Sequence, residues 1–122
     1  MAVKNNFAPI FTRLKSILEP YASHMIVVTD TDEQYYLDTR YIMKSKKPLF
    51  FGAVKVGKSY VSFHLMPVYA FPDLLQQISP ALKKRMQGKS CFNFTALDEM
   101  LFKELEGLTR AGVERYRNRN TI

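Results

Sequence analysis

Residues 49–66 read LFFGAVKVGKSYVSFHLM, two runs rich in β-branched and aromatic residues on either side of Gly57 and Lys58. A two-residue loop that starts with glycine suits a type II′ turn, whose twist matches that of paired strands, so this segment predicts a β-hairpin. Such a loop pairs Val56 with Ser59, Lys55 with Tyr60, Val54 with Val61, Gly52 with Phe63, Phe51 with His64 and Phe50 with Leu65. Side chains alternate across a strand. The register therefore puts Phe50, Val54, Val56, Val61, Phe63 and Leu65 on an apolar face, with Gly52 leaving room for the Phe63 ring. Phe51, Lys55, Tyr60, Ser62 and His64 fall on the other face. The first face needs a covering layer; the second is a solvated surface or a ligand platform.

A layer to cover it is written before the hairpin. Phe7, Ile10, Phe11, Leu14, Ile17 and Leu18 recur at three- and four-residue intervals, the stripe of a helix packed on one side. Asn6 is placed to cap that helix, Pro9 suits its first turn and Pro20 ends it, while Arg13, Lys15, Ser16 and Glu19 look outward. Next, HMIVVT and QYYLDTRY predict a second hairpin closed by Asp30, Thr31, Asp32 and Glu33, in which Val28 faces Tyr35, Ile26 faces Leu37, Val27 lies by Tyr36 and Met25 by Asp38. A basic connection, IMKSKKP, leads from there into residues 49–66.

Downstream, PVYAFP predicts a rigid extended link and residues 71–78 a short helix. Ser79 and Pro80 restart a helix whose body is residues 81–86, stopped by Gln87 and Gly88. SCFNF predicts one more short strand, with Cys91 and Asn93 on one side and Phe92 and Phe94 on the other. The last helix starts at Thr95 as a capping box with Asp98, carries Leu97, Met100, Leu101, Leu105 and Leu108 inward, and frays into a basic tail from about residue 116. The expected architecture is α+β: an antiparallel sheet of two hairpins plus a short strand, covered by the N-terminal and C-terminal helices, in a single domain of residues 1–122.

The chain has 122 residues, 47% hydrophobic and 24% charged, enough for one core, and it lacks the roughly 18 unbroken apolar residues of a membrane span. Nothing in MAVKNNFAP resembles a secretory leader, and Cys91 is the only cysteine, so the expected location is cytoplasmic, with no membrane association. Eighteen Lys and Arg against eleven Asp and Glu give a net charge of +7. The excess gathers in Lys44, Lys46 and Lys47, in Lys83, Lys84, Arg85 and Lys89, and in Arg110, Arg115, Arg117 and Arg119. Charge of that kind favours anionic partners but carries no base recognition, so nucleic-acid binding through these groups is an alternative reading.

Catalytic constellations are scarce. GAVKVGKS matches the pattern G-x-x-x-x-G-K-[ST], yet the next residues, YVSFHLM, read as a strand, whereas phosphate cradling needs a helix N-terminus. His24 and His64 have no partner at metal-site spacing, and a Cys91–His64 nucleophile is the lesser reading beside a cysteine buried as a small hydrophobe. The least bland set is Tyr36, Arg40, Lys55, Tyr60, His64 and Tyr69, whose aromatic bodies, polar tips and cations suit a small anionic or aromatic ligand.

GAVKVGKSYVSFHLMPVY, LLQQISPALKKRMQGKSCFNF and the helix near Asp98 together give the chain, over about residues 20–117, a resemblance to the YdhG-like family, a bacterial domain family of unknown function. The resemblance implies the same helix-covered antiparallel sheet. Some relatives of that family are described as frataxin-like iron chaperones, which implies iron binding. Hard iron ions want carboxylate oxygen. The first helix offers Glu19 alone among Lys4, Arg13 and Lys15, so iron, the one cofactor the resemblance implies, would fall to Asp30, Asp32 and Glu33. The leading expectation is a non-enzymatic binding or interaction domain for an unknown small molecule or protein, without a cofactor. A homodimer is a further possibility, because an uncovered hairpin edge invites pairing.

Overall fold

The computed structural model describes residues 7–119. Helix α1 (Ala8–Leu18) leads through a 3₁₀ segment (Glu19–His24) into strands β1 (Ile26–Asp30), β2 (Gln34–Ile42), β3 (Pro48–Val56) and β4 (Val61–Leu65). Then come short helix α2 (Met66–Ala70), a second 3₁₀ segment (Pro72–Gln77), α3 (Pro80–Lys83), β5 (Met86–Gln87), β6 (Cys91–Phe94) and the long α4 (Glu99–Asn118). The strands form one antiparallel sheet in the order β1-β2-β3-β4-β6-β5. α1, α2 and α4 pack on one face of it, as the α+β reading expects.

The first-helix stripe is buried in full, from Phe7 to Leu18. Its supposed cap, Asn6, lies outside the described residues. The outward set is not simply solvated. Arg13 reaches Glu99 (Nε to Oε2, 2.8 Å) and Glu106 (2.8 Å) on α4, and Lys15 pairs with Asp30 at 2.8 Å. These links tie α1 to the last helix and to the edge of the sheet.

The central hairpin exists, two residues out of the expected register. Val56 pairs with Val61, Val54 with Phe63, Ala53 with His64 and Gly52 with Leu65. The loop is therefore residues 57–60, closed by Gly57 N–H donating to Tyr60 O at 2.8 Å, and Gly57 does not take the positive φ that a type II′ turn requires. A slip of two keeps every face assignment near the loop. Farther along β3 a bulge intervenes: Leu37 pairs with Gly52 and Asp38 with Phe50, leaving Phe51 unpaired with β2. The bulge reverses the alternation. Phe51 is consequently buried in the core, against expectation, and Phe50 is on the opposite face against Tyr36, ring centroids 4.7 Å apart. Gly52 makes room for Leu18 of α1 rather than for Phe63; a Cβ there would meet His64 O at 2.9 Å and Leu18 Cδ2 at 3.4 Å.

The first hairpin is also shifted, pairing Ile26 with Asp38, Val27 with Leu37, Thr29 with Tyr36 and Asp30 with Tyr35, so Val28 falls in an irregularity and its side chain is exposed. Residues 66–70 are helical rather than extended, because Pro67 stands in the first turn, where its missing N–H costs nothing. Ser79 caps α3 as expected, its Oγ accepting from Leu82 N–H at 3.1 Å while its own N–H and Oγ–H donate to Glu104 of α4. Met86 and Gln87, expected in that helix and its stop, instead form β5 against β6.

The final helix starts later and ends later than expected. Asp98, not Thr95, is the cap, accepting from Leu101 N–H at 3.3 Å, and Leu97 and Met100 are exposed rather than inward, Met100 at 80%. The buried line is Leu101, Phe102, Leu105, Leu108, Thr109, Gly112, Val113 and Tyr116. Tyr116 meets Phe51 and Phe71 edge-on at 6.1 and 6.3 Å, which holds the helix through Asn118 where a frayed tail was expected. Gly112 is part of the seam, since a Cβ there would come within 2.8 Å of Pro67 Cβ.

Candidate functional site

The ladder registers line up side chains across the sheet. Thr29, Tyr36, Ala53, His64, Cys91 and Gln87 occupy one row over all six strands, and Gln34, Lys55, Ser62 and Asn93 occupy the row beside it. Both rows lie on the face away from the helices, because the residues between them along each strand, Tyr35, Val54, Phe63 and Phe92, are in the core. Toward β4 and β6 this face and the 57–60 loop enclose an open concavity of about 570 Å³, lined by Lys55, Lys58, Tyr60, His64, Cys91 and Asn93 among others.

The floor of the concavity is a hydrogen-bonded chain. Asn93 Nδ2 donates to Gln87 Oε1 at 2.7 Å, Cys91 Sγ–H donates to Asn93 Oδ1 at 3.3 Å, Cys91 Sγ lies 3.8 Å from His64 Nε2, and His64 Nε2 lies 3.1 Å from Ser62 Oγ. Ser62 in turn donates to Lys55 O at 3.4 Å. Burial, with the Lys55 charge second, pulls the His64 imidazole below its ordinary value, and burial pushes the Cys91 thiol up. Both shifts favour the uncharged thiol and uncharged imidazole. An activated cysteine nucleophile needs the reverse, a thiolate stabilised by its surroundings.

Of the six residues expected to form a ligand face, the structure brings Lys55, Tyr60 and His64 together around the concavity. Tyr36 shares the face but sits two strands away, beyond Ala53 and stacked on Phe50. Burial and then the Asp38 charge raise its phenol pKa. Arg40 is exposed toward the far end of β2, and Tyr69 is exposed on α2; neither lines the concavity. Lys58, Gln87, Cys91 and Asn93 join the site without having been assigned to it. The alternation in CFNF puts Cys91 and Asn93 on the polar side; what it does not reveal is that β6 pairs with β4.

Asp30, Asp32 and Glu33 lie at the β1–β2 turn, where Asp30 is engaged by Lys15. Among the described residues no group of three or more His, Cys, Asp or Glu side chains is arranged to hold a metal ion. The three basic groups stand apart: at the β2–β3 turn, around β5 on the opposite side of the sheet, and along α4, where Arg115 is paired with Asp73 at 2.6 Å and Arg115 and Arg119 both lie over the Phe71 ring. No described helix is long and apolar enough to cross a membrane. Comparison of the chain with protein-family models, curated proteins and solved structures returned no match.

Proposed function

We propose that the protein is a non-enzymatic binding domain whose sheet face away from α1, α2 and α4 takes a small anionic ligand in the concavity beside the 57–60 loop. The observation that carries this reading is charge. Lys55 and Lys58 line the concavity, and among the described residues lining it none is a carboxylate. A phosphate or carboxylate group placed there meets two ammonium groups, the Tyr60 hydroxyl, and the Asn93 amide, whose Nδ2 keeps a second N–H beside the one given to Gln87. The neutral state of the Cys91–His64 pair supports binding rather than nucleophilic chemistry.

The test is titration of the protein with inorganic phosphate and with small carboxylates at low salt, followed by NMR. Saturable shifts centred on Lys55, His64 and Cys91, lost in Lys55→Met, are the expected result. Shifts that do not saturate, or that persist unchanged in Lys55→Met, would overturn the assignment.

A further inference from the structure

The sheet has two free edges, and they differ. β5 is two residues long, flanked by Arg85 and Lys89, which is how proteins commonly blunt an edge. β1 is five residues long, contains no lysine or proline, and exposes three consecutive aliphatic side chains: Ile26 at 41%, Val27 at 44% and Val28 at 53%. One side of β1 is paired with β2 and the other faces no strand among the described residues. Past its start, Tyr41 and Ile42 of β2 continue the exposed apolar strip.

Charge is polarised along this edge. The exposed acids Asp32 and Glu33 sit at the C-terminal end of β1, in the turn to β2. Because β2 runs back antiparallel, its Arg40 and the lysines after it, Lys44, Lys46 and Lys47, gather at the N-terminal end of β1. None of these six makes an ion pair within the described chain. The strip is thus apolar in the middle, acidic at one end and basic at the other, a pattern complementary to itself when reversed.

We propose that β1 is the docking edge for a second copy of this chain, paired antiparallel about a two-fold axis into a continuous twelve-stranded sheet. In that arrangement the strand ladder supplies the hydrogen bonds, and Ile26, Val27 and Val28 of the two copies cover one another. Asp32 and Glu33 of each copy face Arg40 and the lysine turn of the other. A parallel arrangement would bring like charges together, so the charge pattern sets the direction of pairing. The concavity at β4 and β6 lies across the sheet from this edge and is left open by it.

Sedimentation equilibrium of the full chain, over a range of concentration and salt, tests the proposal. The expected mass is twice 14.2 kDa, with association weakening as salt rises. Val28→Lys is expected to weaken association by about a hundredfold or more, since it desolvates an unpaired ammonium at the centre of the contact. Should that variant fail to fold, Asp32→Lys with Glu33→Lys, confined to an exposed turn, serves instead: it weakens association, and reversing Lys44, Lys46 and Lys47 to Glu in the same chain restores it. A wild type that stays monomeric would overturn the proposal and leave the edge to a strand of another protein. A dimer indifferent to Val28→Lys, or to the turn charges, would overturn it as well by placing the interface elsewhere.

Discussion

On the helix side of the sheet Val54, Phe63 and Phe92 stand in one row, all fully buried; one position along each strand, Lys55, Ser62 and Asn93 stand in the neighbouring row on the other side. The same three strands therefore present a dry surface and a wet one, separated only by the pleat. What distinguishes them is what lies above. The helix side is sealed by α1 and α4 with complementary apolar stripes, and burial there scales with apolar area. Among the described residues no helix lies over the other side, so its polar groups bond to one another, and the chain from Gln87 to Ser62 results. One side holds the fold together, and the other is the face proposed to bind.

The sharpest way to break that contrast is to truncate matched positions. Phe63→Ala should lower unfolding free energy by about 3–5 kcal/mol, the cost of a large aromatic lost from a closed core. Lys55→Met, across the pleat, should change it by only about 0.5 kcal/mol in either direction. Urea denaturation of both variants measures the difference, and equal losses would mean that the second face is as structural as the first.

A smaller effect probes the seal itself. Gly112 lets α4 approach Pro67 of α2, and a Cβ at that position would sit 2.8 Å from the proline ring. Gly112→Ala raises helix propensity yet should destabilise by about 1–3 kcal/mol through overpacking. A rise in thermal midpoint would show that the two helices can separate at no cost, and that the seal is looser than the contact suggests.

The smallest effect belongs to the wet face and depends on pH. The folded-state pKa of His64 is depressed, so the unfolded chain takes up that proton more readily than the native state does. Its contribution to stability is fully present above the ordinary imidazole value, about 6.5, and is lost as pH falls from there through the folded-state value. The proposed anion binding should run the other way, because the same proton adds a positive charge beside Lys55 and Lys58. Stability that falls and phosphate affinity that rises over one pH window, both flattened in His64→Gln, is the expected pattern. Parallel changes in the two quantities would remove His64 from the binding site.

Much of this contrast was legible in residue order. The stripe from Phe7 to Leu18 and the alternation in VSFHL and CFNF are local patterns, each satisfied by one period of a helix or strand, and they assigned buried and open sides correctly. Errors came where one element answers to another. The bulge that turns Phe51 into the core is a property of how β2 and β3 pair, and no feature of LFFG alone signals it. Residues 109–116 of α4 lack a simple apolar repeat because Thr109 and Gly112 sit in the seam, so the residue pattern alone ends the helix before Tyr116. The slip of the central hairpin by two residues left the face assignment untouched, since side chains repeat every two.

The expected ligand set shows the same division. Lys55, Tyr60 and His64 come from one hairpin, and local alternation placed them together. Cys91, Asn93 and Gln87 arrive from a separate chain segment, and their membership depends on β6 choosing β4 and β5 choosing β6. Periodicity and capping chemistry determined the kinds of element and which sides of them avoid water, because both depend on backbone geometry and hydrophobicity within a few residues. Strand order, bulges, the free β1 edge and the closed concavity floor were decided only by tertiary structure, because each is a choice between long-range partners of similar local merit.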